Sequence, residues 1–73
     1  MKSSELGLSA MYRILKKAGA ERVSDESADE LRRIIEEIAG NIAKSAVDMT
    51  SHANRKTVKR EDVKLASKPF HKF

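Results

Sequence analysis

Cysteine is absent from the 73-residue chain. Disulfides and thiolate zinc sites are therefore both excluded as sources of stability. Two histidines, His52 and His71, are too few for a structural metal centre, and neither a metal nor a cofactor is expected. No apolar run approaches the roughly 20 residues of a membrane-spanning helix. The opening MKSSELGLSAMYRILKKAGA lacks the apolar centre of a signal peptide. The chain is read as intracellular, with no membrane partner. Proline occurs once, at position 69, so none interrupts residues 24–53. Serine, histidine and aspartate are present, but no spacing sets a nucleophile beside a base, so neither enzymatic activity nor a small-molecule substrate is expected.

A chain of this length is one domain at most. Its core is marginal without a disulfide, a metal or a second subunit. With the first two excluded, pairing of chains is the remaining support. Charged residues make up 36% and apolar residues 40%, a balance that suits a folded helical chain. The net charge of +4 conceals a pattern. Residues 1–23 carry five bases and two acids, residues 24–52 three bases and seven acids, and residues 53–73 seven bases and two acids. Cationic ends around an acidic middle point to a basic surface and a polyanionic partner, most often nucleic acid.

The middle of the chain has the clearest periodicity. Leu31, Ile34, Ile35, Ile38, Ile42, Ala46, Met49 and Ala53 recur at steps of three and four, the apolar stripe of a helix. Ser24 is a good N-cap, and Asp25, Glu26, Asp29 and Glu30 set negative charge by the positive end of the helix dipole. A helix over 24–53 would be roughly 40 Å long, too long for so small a globule to enclose alone. A shorter helix is predicted over about 6–18, with Leu8, Met11, Ile14, Leu15 and Ala18 on its apolar side and Gly19 closing it. A third covers about 60–68, with Val63, Leu65 and Ala66 inward and Pro69 ending it. Two extended pieces, Glu21-Arg22-Val23 and Lys56-Thr57-Val58, lie between helices.

AGAERVSD (18–25), the long helix and HANRKTVKREDV (52–63) together resemble the archaeal histones over about Glu5 to Phe70. The resemblance implies an all-α histone fold, short helix–loop–long helix–loop–short helix, as a single domain over 1–73. Two chains would intertwine in a handshake dimer, the first loop of each beside the second loop of its partner. It further implies a homodimer, or a heterodimer with another histone, that binds and compacts double-stranded DNA through phosphate contacts with little base reading. Such a protein would be cytoplasmic and associated with the chromosome. Carried over by position, the DNA contacts are Arg13 and Lys16 on the first helix, Arg22 in the first loop, which the resemblance sends into the minor groove, and Arg55, Lys56, Thr57 and Lys59 in the second. Arg55 would also pair with Asp62 to hold the second loop. Met49, His52 and Asp62 fit a contact through which dimers stack into tetramers or polymers.

Three positions depart from the family pattern. Gly40 stands where a cation is common on the outer face of the long helix, which removes one DNA contact. LGLSAMY (6–12) replaces a proline-containing start. Asn54 stands where glycine is frequent, and asparagine tolerates the left-handed backbone that the turn needs. Two other readings follow: a histone-fold subunit that joins a transcription or repair heterodimer, or a histone that bridges duplexes instead of wrapping them.

Overall fold

The computed structural model describes residues 7–70; residue 6, which opens the predicted first helix and the altered N-terminal stretch, lies outside them, as do Glu5 and His71. Three helices follow in order: α1, Leu8–Lys17; α2, Asp25–His52; and α3, Arg60–Ala66. A single 3₁₀ turn, Lys68–Phe70, comes after α3. The fold is all-α, short–long–short, as the periodicity predicts. The chain forms two compact units that divide α2 between them: one holds α1, the first loop and α2 up to Glu36, the other α2 from Glu37, the second loop and α3.

In the first unit, Ser24 opens α2. Its Oγ accepts the Ser27 amide at 3.1 Å, and the Ser27 hydroxyl donates to the Ser24 carbonyl at 2.9 Å. Asp25 and Glu26 occupy the first turn, where the helix dipole favours them. Arg32 joins Asp29 at 2.6 Å and Glu36 at 2.9 Å on the same helix, the spacing at which opposite charges add modest support. Met11 and Ala28 are the buried apolar residues of this unit. Leu8, Ile14 and Ile34 are exposed, Ile14 at 49%.

In the second unit Ala46 and Ala66 are buried. Ile38, Val47, Val58, Val63 and Leu65 are exposed, Leu65 at 54%. The expectation that Val63, Leu65 and Ala66 all turn inward is therefore corrected: in the single chain only Ala66 does. Residues two apart on a helix point about 200° away from each other, so Val63 and Leu65 cannot share a face. α3 ends at Ala66, and Pro69 lies in the 3₁₀ turn beyond it.

Among the described residues no large side chain is fully buried, while eight large apolar ones stay exposed. Each forgoes part of the roughly 1.5–3 kcal/mol that full burial yields. One chain thus leaves most of its apolar stripe unsatisfied.

Gly40 is exposed in mid-α2, and a methyl group built there would meet nothing within 4 Å. Gly40→Ala is expected to raise stability by up to about 1 kcal/mol, the helix-propensity difference, measurable as a higher urea midpoint with an unchanged slope.

Candidate nucleic-acid interface

The two inter-helix loops are built alike. After α1, the Gly19 amide donates to the Lys16 carbonyl at 3.0 Å and the Ala20 amide to the Leu15 carbonyl at 3.1 Å. After α2, the Asn54 amide donates to the Ser51 carbonyl at 2.9 Å and the Arg55 amide to the Thr50 carbonyl at 3.0 Å. Both are the paired 5→2 and 6→1 closure of a Schellman motif, which needs one residue at positive φ. Gly19 supplies it at φ 115° and Asn54 at φ 59°. An L side chain is strained at either angle. Gly19→Ala is expected to cost at least about 1 kcal/mol, and Asn54→Val about 1–2 kcal/mol; Asn54→Gly should be near neutral. Chemical denaturation of the three variants checks all of these.

Beyond each closure the chain reaches the next helix without regular structure, bending at Glu21 in the first loop and at Lys56 and Thr57 in the second, where extended pieces were expected. In the first loop the Lys16 ammonium donates to the Glu21 carbonyl at 2.8 Å, and the Tyr12 hydroxyl donates to the Asp25 carboxylate. That bond pushes the Tyr12 phenol above its ordinary value. Arg22 is exposed between these two attachments. It makes no side-chain hydrogen bond or ion pair among the described residues, and neither does Arg13. Lys16 has three donors and spends one on the loop.

The second loop is organised by Asp62. Its Oδ2 accepts from Arg55 Nη1 at 3.0 Å, from the Lys59 amide at 2.9 Å and from the Thr50 hydroxyl at 2.9 Å, and its Oδ1 from Arg55 Nη2 at 3.0 Å. The Thr50 hydroxyl stands equally close to the Ala46 carbonyl. Its one proton serves one acceptor at a time, and the carboxylate is the stronger. Arg55 Nη1 also donates to the Thr57 carbonyl at 3.1 Å. Asp62 is 6% exposed. The Arg55 guanidinium, then the Lys59 amide, hold its carboxyl far below the usual carboxylate range against the opposing effect of burial.

Arg55 and Asp62 are therefore joined directly, at two points. Much of the Arg55 donor fork is spent inside the loop. Lys56, Thr57 and Lys59 are exposed, and the Lys56 ammonium has no partner among the described residues. Of the three residues assigned to a stacking contact, Met49 is half-buried and His52 exposed. The His52 Nδ1 lies 3.1 Å from the Asp48 carbonyl, which accepts from it in the Nδ1-protonated tautomer, back along the same helix. Asp62 faces Arg55, leaving little of its carboxylate open. Two residues escaped the sequence reading. Thr50 could have been found as the polar residue four positions after Ala46 on the long helix. Tyr12 carried no signal, because its acceptor is thirteen residues away.

A long central helix flanked by two short ones, with cationic loops of matching design, defines a histone fold. A family model described as histone-like transcription factor (CBF/NF-Y) and archaeal histone matches residues 4–66. The chain belongs to this family. It is 52% identical over 63 residues to probable archaeal histone 3 of Methanocaldococcus jannaschii, covering 86% of this chain and 94% of that protein. It is 48% identical over 65 residues to one of the subunits of archaeal histone HAN1 from Thermococcus zilligii, covering 89% and 97%. Histone H4 of Tetrahymena thermophila is 36% identical over 59 residues, which span 81% of this chain and 57% of that one. The protein is thus of the archaeal-histone kind, among DNA-binding chromatin proteins that pair through the histone fold.

Proposed function

We propose that the whole chain acts as one histone-fold domain, that two copies pair by crossing their α2 helices, and that the pair wraps duplex DNA without sequence preference. The observation that carries this reading is the pair of like-built loops, each presenting an exposed cation with no partner among the described residues: Arg22 in one and Lys56 in the other. Handshake pairing would bring the first loop of one protomer beside the second loop of its partner, and would cover the exposed apolar side chains of α2.

Roles within the site divide accordingly. Arg13, Lys16, Lys56, Thr57 and Lys59 contact phosphates, Arg as a fork, Lys as a point charge and Thr as a short donor, while Arg22 enters the minor groove. Arg55 mainly braces the second loop through Asp62 and adds its remaining donors. Met49 and His52 form a stacking contact between dimers, with the remaining acceptor capacity of Asp62 as the polar partner. Assembly on the chromosome in the cytoplasm follows from such binding.

Nuclease digestion of the protein–DNA complex tests the reading. A ladder of protected lengths is expected for stacked, wrapping dimers; uniform protection would instead indicate coating or bridging, which the missing cation at Gly40 would suit. The family description also covers transcription factors. A purified protein that binds no duplex at low salt, yet forms a tight heterodimer with another histone-fold chain, would place it there.

A further inference from the structure

Tyr12 and Lys16 lie four residues apart, on one face of α1. Both reach across to the first loop. Lys16 holds the backbone at Glu21, one residue before Arg22, and Tyr12 holds the Asp25 carboxylate, three residues after it. Arg22 is thus fastened on both sides, although its own side chain is engaged by nothing among the described residues. That is notable because two carboxylates, Glu21 and Asp25, lie within three positions of it. Either acid could hold the arginine in a local surface ion pair, an individually weak interaction. A phenol donating to a carboxylate makes a charge-assisted bond, and it engages one of the two acids that flank Arg22 in sequence.

We propose that Tyr12 is a positioning residue for DNA binding: by engaging Asp25 it keeps that carboxylate from Arg22 and, with Lys16, sets the first loop so that Arg22 is offered to the duplex. The role rests on the DNA-binding reading above. It has two parts. The loop is ordered before the duplex arrives, so less freedom is lost on binding. The Asp25 charge is also turned toward α1 instead of toward the arginine.

Tyr12→Phe removes the hydroxyl and keeps the ring. It is expected to weaken binding to mixed-sequence duplex by about threefold to tenfold, the range of one ordinary hydrogen bond, because only part of the Tyr12–Asp25 bond energy is passed on to Arg22. Capture of Arg22 in both protomers would lower the slope of log affinity against log salt by up to about two. In an Arg22→Ala background the same change should have no further effect, since Tyr12 acts through that arginine. Full additivity of the two substitutions would overturn the proposal, as would unchanged affinity for Tyr12→Phe alone.

Tyr12 is the only tyrosine and tryptophan is absent, so ultraviolet titration of the phenol reads this bond directly. Its titration should lie above that of free tyrosine and return toward it in Asp25→Ala. An ordinary titration in the unaltered protein would show that the bond does not form, and would also overturn the role. Circular dichroism checks that variants fold; Tyr12→Leu, which keeps apolar bulk without a hydroxyl, serves if Tyr12→Phe does not. Failure of the unaltered protein to bind duplex would remove the DNA reading and this role together. Normal binding by both unaltered protein and Tyr12→Phe removes the role only.

Discussion

Replacing Arg22 and Lys56 together by alanine is expected to weaken binding to unrelated duplex sequences about equally, and to lower the slope of log affinity against log salt by about three to four. Four cations leave each dimer, and each phosphate contact contributes roughly 0.9 to that slope through released counterions. These two residues are chosen because neither side chain has a partner among the described residues. Their removal leaves both Schellman closures and the Asp62 cluster in place. Arg55→Ala would be a poorer test, since it also strips Asp62 of its main partner and mixes lost contacts with a loosened loop. Fluorescence anisotropy on several unrelated duplexes across a salt series measures both quantities. A loss confined to one sequence, or an unchanged slope, would contradict phosphate-based binding.

Asp62→Ala is expected to be the most destabilising single substitution in the second unit, lowering the thermal midpoint by on the order of 10 °C or more. It leaves the Arg55 guanidinium without its carboxylate and removes acceptors from the Lys59 amide and the Thr50 hydroxyl at once. The pH dependence carries a definite sign. The Asp62 carboxyl is held far below its ordinary value of 3.8 in the folded chain. Its contribution is therefore complete above about pH 4 and declines as acid drives protonation toward the depressed folded value. Acid titration followed by circular dichroism should show unaltered protein losing stability below pH 4. The Asp62→Ala protein should lack this component of the decline. Equal acid sensitivity in both would remove Asp62 from that role.

What the sequence made legible was whatever repeats along one helix or is announced by a local residue type. The stripe from Leu31 to Ala53 marked α2, and Ser24 and Gly19 marked its start and the close of α1, because capping depends on nearest neighbours. The direction of the α3 side chains was not legible. Val63 and Leu65 are both apolar, yet their angular separation puts them on different faces, and in one chain both remain exposed. In the candidate site, cationic positions could be assigned by spacing. Which cations are occupied by their own loop could not, since that depends on groups brought together by folding: Tyr12 with Asp25, and Thr50 with Asp62.

The scarcity of buried apolar side chains in the single chain bears on how pairs could be remade. Met11, Ala28, Ala46 and Ala66 are the buried apolar residues among those described, a small core even for a chain of this length. If pairing supplies the rest, a protomer cannot leave without unfolding, and midpoint temperature must rise with protein concentration. Exchange of partners would then proceed at the speed of unfolding instead of diffusion.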